Sequence, residues 1–184
     1  GARADGPPHE RCDRTEPVLA VHPFEVAARG HRVDVLTSRM KGQPAGEVQD
    51  GVRIYRVPSW RHGPHDCGIR GAATFLFFAF WRLRRLLAAE RYDLVHYFFG
   101  LPCGMLSFYT GGRKGIPYIV SLRGSDVPDY DPVDRTLNLF HRLLAGINHR
   151  IWRNAAFVVA NSAALRDLAA LFDPRIAYEV IPNA

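Results

Sequence analysis

Lysine is almost missing from this 184-residue chain: of 24 basic residues only Lys41 and Lys114 are lysines. The formal charge of +6 is therefore carried by arginine, whose planar fork suits phosphates and carboxylates. That points to anionic partners such as a nucleoside diphosphate or an anionic lipid surface. Nucleic acid is not expected as a partner, because no nucleic-acid motif and no basic stripe interleaved with aromatics occurs. Cysteine is also scarce. Cys12, Cys67 and Cys103 are far apart with no C-x-x-C, which excludes a disulfide framework and fits a reducing cytoplasm. No metal site is expected: His62-Gly63-Pro64-His65-Asp66-Cys67 has ligand-type residues, but no zinc spacing and no evident fourth ligand, and reads as a solvated loop. The chain lacks G-x-G-x-x-G, the P-loop pattern and G-x-S-x-G, which argues against the usual dinucleotide, P-loop NTPase and α/β-hydrolase sites. Long apolar runs are absent too. The longest, Gly71 to Trp81, falls short of the about 20 residues a bilayer span needs. The polar, charged start does not read as a signal peptide.

What is present is an ordinary globular composition, 47% hydrophobic and 23% charged, enough for one domain with a sizeable core. Residues 1–17 are the exception, rich in Gly, Pro, Arg and Asp without apolar period, and read as an irregular or disordered arm; the domain proper spans 18–184. A helix is expected over Val18–Ala28, kinked or started by Pro23 and closed by Gly30. Strands are expected at Val33–Thr37, Val52–Val57, Leu94–Phe98, Ile116–Leu122, Ala156–Ala160 and Tyr178–Ile181. Between them, 42–51 and 59–70 read as loops and 111–115 as a turn. Gly71–Glu90, Pro102–Tyr109, Val133–Asn154 and Ser162–Phe172 read as helices. The alternation predicts an α/β domain with a Rossmann-like parallel sheet and helices on both faces.

The helix at 71–90 carries two readings. By length it is a core helix. Its Phe75, Phe78 and Trp81, followed by Arg82, Arg84 and Arg85, also fit an interfacial helix that touches the inner face of a membrane peripherally through residues 71–85.

In a parallel sheet the site lies beyond the carboxyl ends of the strands. The candidates are then Thr37-Ser38-Arg39, Phe99-Gly100, Arg123-Gly124-Ser125-Asp126, Asn161-Ser162 and Asn183. Arg123 to Asp126 form the sharpest cluster. Arginine can hold phosphate, Ser and Asp can accept sugar hydroxyl hydrogens, and Gly124 lets the backbone approach a ligand. The alternative is a loop with a local Asp–Arg pair and an Asx turn. Asn161-Ser162 reads first as a helix cap, which leaves helix N–H groups for an anion. His96, inside a strand, reads as a core or rim residue just before Phe99-Gly100.

Taken in order, "AARGHRVDVLTSR" (Ala27–Arg39), "GVRIYRVP" (Gly51–Pro58), "YDLVHYFFGLPCG" (Tyr92–Gly104), "GIPYIVSLRGSDVPDYD" (Gly115–Asp131), "AAFVVANSAALRDLA" (Ala155–Ala169) and "VIPNA" (Val180–Ala184) resemble the N-terminal, acceptor-side domain of family 4 retaining glycosyltransferases, half of a GT-B fold. The resemblance implies transfer of a sugar from a nucleotide-sugar donor, used as substrate, to an acceptor, with no obligatory metal or other cofactor. It places acceptor contacts on this domain and donor contacts, with an E-x7-E glutamate pair, on a C-terminal domain in the same or a separate chain. Substrate contacts are expected from His96, Phe99, Gly100, Arg123, Gly124, Ser125, Asp126, Asn161 and Ser162, with catalytic residues unassigned. Arg123 stands where many members have histidine, so that histidine's role does not carry over. The first 26 residues show neither the family's buried first strand nor its Gly-Gly loop, and no E-x7-E occurs. The chain is therefore expected to be inactive alone and to expose apolar surface at a sheet edge. The competing function is a non-catalytic Rossmann-like module that binds a glycan, a lipid or a protein.

Overall fold

The computed structural model describes residues 23–60 and 68–182. The arm at 1–17, the start of the first helix, the loop from His62 to Cys67 and Asn183 lie outside the described residues. Helix α1 (Pro23–Ala28) leads to β1 (Val33–Ser38), β2 (Gly46–Gln49), β3 (Val52–Val57), α2 (Gly68–Ala89) and β4 (Val95–Phe98). A 3-10 turn (Cys103–Leu106) and a π turn (Phe108–Arg113) follow, then β5 (Tyr118–Leu122), α3 (Arg135–Leu143), α4 (Ala145–Arg153), β6 (Phe157–Ala160), α5 (Ala163–Phe172) and β7 (Tyr178–Val180).

The strands form two sheets rather than the single one expected, ordered β1-β3-β2 and β4-β5-β6-β7. Every pairing is parallel except β2 with β3. The loop expected at 42–51 thus contains a strand. Its turn, Asp50-Gly51, has φ of +46° and +80°, the paired positive values of a tight hairpin turn that Asp-Gly favours. Among the described strands, β1 pairs only with β3 and β4 only with β5, so each keeps an open edge. No residue of β1 is fully buried, whereas β3 and β5 bury three and four. An ionic knot ties the two sheets together. Arg53 of β3 grips Asp34 of β1 (2.6 and 2.7 Å) and Glu90 at the end of α2 (2.7 and 2.9 Å). The Tyr92 hydroxyl, three residues before β4, also donates to Asp34.

The core explains the connecting elements. Tyr97, Tyr118, Val120, Leu122, Val158 and Ala160 alternate onto one face of the second sheet and pack with Ala79 and Leu83 of α2, Ile151 and Trp152 of α4, and Leu165 and Ala169 of α5. The long helix expected over 133–154 is two helices. Leu144 leaves helical geometry (φ −99°, ψ +10°), with Gly146, a poor helix former, two residues on. The two halves serve different neighbours: His141 of α3 bonds the Ser125 carbonyl (2.9 Å), while Ile151 and Trp152 of α4 enter the core. Asp134 caps α3 by accepting from the Leu137 N–H (2.9 Å), and Gly30, at φ +90°, closes α1. The segment expected as a helix at 102–109 is the 3-10 turn running into the π turn.

Candidate functional site

The carboxyl ends of β4, β5 and β6 lie side by side, because Phe98 pairs with Ser121 and Leu122 with Ala160. The loops that follow are drawn together by one carboxylate. Asp126 is 1% exposed, and both of its oxygens face backbone donors. Oδ2 accepts from Gly100 N–H (2.7 Å), while Oδ1 accepts from Arg123 N–H (2.8 Å) and Gly124 N–H (3.0 Å). Asp126 thereby ties the end of β4 to the end of β5. Burial pushes its pKa up, against the pull of those N–H donors. The carboxylate is a positioning group for the loop, and its serine neighbour Ser125 is the exposed one.

Glycine is required at both contact points. Gly124 has φ +127°, and a β-carbon there would sit 2.7 Å from Cζ of Tyr130. At Gly100 a β-carbon would lie 2.5 Å from Nε1 of the buried Trp152. Phe99, between β4 and Gly100, takes φ +81°, a conformation unusual for an aromatic residue, while its N–H donates to the Ser121 carbonyl (2.9 Å).

On the sheet face opposite Tyr97 and Val120, His96 and Phe98 stack (4.4 Å between centroids), the Arg123 guanidinium lies 4.7 Å from the Phe98 ring, and His96 Nε2 meets Ser121 Oγ at 2.7 Å. The His96 ring has an open side. The protein packed around it and the positive Arg123 push its pKa down to about 4, so it is neutral at pH 7. Burial likewise lowers the Arg123 pKa, with Asp126 opposing that shift.

The second sequence pair takes its place on the neighbouring strand. Ser162 caps α5, its Oγ accepting from the Leu165 N–H at 3.2 Å, and its own hydroxyl hydrogen stays available. Asn161, Ser162, Ala164, Leu165 and Leu168 line a cavity of about 540 Å³ with Tyr130. Tyr130 therefore joins the two sequence clusters, touching the Gly124 backbone on one side and the cavity on the other. Sequence reasoning missed Tyr130 and Ser121. The "DVPDYD" run after the β5 loop was the available signal for Tyr130, and alternation from Ser121 to Arg123 on one strand face was the signal for Ser121. Thr37, Ser38 and Arg39 end β1 in the other sheet and do not line this cavity.

The arrangement offers neutral hydrogen-bonding groups (Asn161, Ser162, Ser125, His96), one fixed cation (Arg123) and aromatic faces (Phe98, Tyr130). That set suits a hydroxyl-rich ligand with an adjacent negative charge. Among the described residues, no group of three or more His, Cys, Asp or Glu side chains is placed to hold a metal ion. A search of curated proteins gave no match. The family profile described as "Glycosyl transferase 4-like domain" matches residues 25–184, nearly the whole chain. With a parallel α/β architecture and its loops gathered beyond the strand ends, the chain belongs to the glycosyl transferase 4-like domain family, as the Rossmann-like N-terminal half of a GT-B fold.

Proposed function

We propose that this domain forms the acceptor-side wall of a retaining sugar transfer from a nucleotide-sugar donor, and that turnover needs a donor-binding half facing it. The observation that carries the reading is the cavity shared by Asn161, Ser162 and Tyr130, beside the loop that Asp126 holds. In this account Asn161 and Ser162 bond acceptor hydroxyls, Tyr130 offers a ring face for a pyranose, and Ser125 reaches from the loop. Arg123 meets negative charge, either donor phosphate or an acidic acceptor group, from a guanidinium held against Phe98. Transition-state charge is stabilised only when both walls close on it, so one wall binds acceptor without accelerating transfer.

The test is kinetic. In an enzyme that unites this domain with a donor half, Arg123→Ala is expected to lower kcat/KM by about 10- to 100-fold, the range of one lost charge-assisted contact. Unchanged kinetics would remove Arg123 from the transition state and, with it, the anionic side of the reading.

A further inference from the structure

Helix α2 has an outer face that the core does not explain. One side buries Gly71, Ala79 and Leu83. At 100° per residue, Arg70, Ala73, Phe77, Trp81, Arg84 and Ala88 fall on the opposite side within an arc of roughly 80°, and all six are exposed. A surface helix normally turns charged and polar residues outward. This one exposes Phe77 at 60% and Trp81 at 48%, with Phe78 and Arg85 on the flank of the same stripe. Trp60, 70% exposed, is fastened beside it, its backbone N–H donating to Thr74 Oγ1 at 3.0 Å. Ile69, at 64%, extends the patch toward the helix start.

The charge pattern selects the occupant. No acidic residue occurs anywhere in α2. Among the described residues, the acidic residue next to it in sequence, Glu90, is already engaged by Arg32 and Arg53. Arg82 turns inward over Tyr55 (4.2 Å), which leaves Arg70, Arg84 and Arg85 outward, with Arg84 lying 5.0 Å from the Trp81 ring. A second copy docking on this face would set arginines against arginines. Exposed aromatic rings followed by arginines, without acids, match the interface of an anionic bilayer, where the rings sit at the headgroup–acyl boundary and the guanidinium groups meet phosphates. The helix would lie flat, since among the described residues no helix is long and apolar enough to cross a membrane.

We propose that the outward stripe of α2, centred on Phe77, Trp81 and Arg84 with Arg85 on its flank, docks the domain onto an anionic lipid surface. The stripe shares no residue with the cavity at Asn161, so this surface stands or falls independently of the acceptor reading.

The full chain is tested by co-sedimentation with vesicles of phosphatidylcholine alone and of phosphatidylcholine mixed equally with phosphatidylglycerol, at low and high salt. Tryptophan emission is recorded alongside. Pelleting with the anionic vesicles, a blue shift of Trp emission on binding, and loss of binding at high salt are expected. Arg84→Gln with Arg85→Gln should weaken partitioning by about 10- to 100-fold, from two cations near the surface. Phe77→Ser with Trp81→Ser should abolish it, and circular dichroism should be unchanged for both variants because all four side chains are exposed. Absence of pelleting at low salt overturns the proposal. So does pelleting that the Phe77/Trp81 variant leaves intact. Self-association removed by those same substitutions, without lipid binding, would instead make the face a protein interface.

Discussion

Replacing Asp126 with alanine is expected to cost the domain about 3 kcal/mol, because three backbone N–H donors lose their acceptor at once and those of Gly100 and Gly124 are buried. Each unsatisfied buried donor costs roughly 1–3 kcal/mol. The total falls at the lower end because the substitution also removes the desolvation penalty that pushes the Asp126 pKa up. Against the 5–15 kcal/mol typical of a domain, this is a large share. With a urea slope of about 2 kcal/mol per molar, the unfolding midpoint should fall by on the order of 1.5 M. Asp126→Asn should fall between the two, since an amide offers one acceptor where the carboxylate offers two. A midpoint for Asp126→Ala within 0.3 M or so of the parent would mean that the loops are held by something else. The pH signature has a defined sign. A carboxyl whose folded pKa is raised keeps its proton where the unfolded chain has released it. Its contribution to stability is therefore fullest below the unfolded pKa and shrinks as pH rises toward the folded one.

The opposite sign is expected at the far end of α5. Asp173 has no solvent-accessible surface and accepts from His149 Nδ1 (2.6 Å) and Arg153 Nε (2.7 Å), with the Arg175 N–H at 3.3 Å. Residues 149 and 153, one turn apart on α4, present both donors on one side. Burial pushes the Asp173 carboxyl up, but Arg153, His149 and the Arg175 N–H together outweigh that and hold its pKa below the ordinary value. A depressed folded pKa contributes stability that is present above the unfolded pKa, near 4, and is lost as pH falls through the folded one. Unfolding followed from pH 7 to pH 2 should therefore show an acid-side loss that Asp173→Asn flattens. At pH 7, Asp173→Ala should cost about 2 kcal/mol, less than a wholly buried pair would, because Arg153 and His149 still reach water. An unaltered acid limb in Asp173→Asn would show that the cluster does not carry the pH dependence. The consequence reaches the candidate site, since the other end of α5 supplies Ser162 and the cavity wall.

Elements with strong periodic signals were legible in the sequence. All six expected strands are present, five of them shifted by one or two residues at a single end, and Ser162 and Gly30 take the capping positions that their residue types favour. What escaped depended on tertiary partners. The β2 strand has only Val48 as an apolar residue and is held by pairing to β3, so alternation alone did not reveal it. The break at Leu144 follows from two halves packing on different neighbours, which periodicity does not encode. The division of the strands into two sheets is likewise a matter of pairing, invisible in strand-forming residues. At the site, residue types announced Arg123 to Asp126 as a unit, but not the division of labour within it. Burial decides that Asp126 faces backbone while Ser125 faces solvent. Tyr130 links the loop to Asn161 only through the close approach at Gly124, and that contact has no local sequence period.

The central claim, that the wall formed by Asn161, Ser162, Tyr130 and Arg123 receives a sugar acceptor, is tested most directly by amide NMR of the isotope-labelled 20.7 kDa chain. The chain is titrated separately with glucose, with mannose, with glucose 6-phosphate and with uridine diphosphate. The account predicts saturable shifts at residues 123–130 and 161–165 with at least one of the sugars, larger for the phosphorylated sugar and reduced by Arg123→Ala. Uridine diphosphate alone should produce little change at residues 161–165, which line the cavity away from Arg123. Shifts confined to other surfaces, or none with any sugar while uridine diphosphate saturates the cavity, would contradict it.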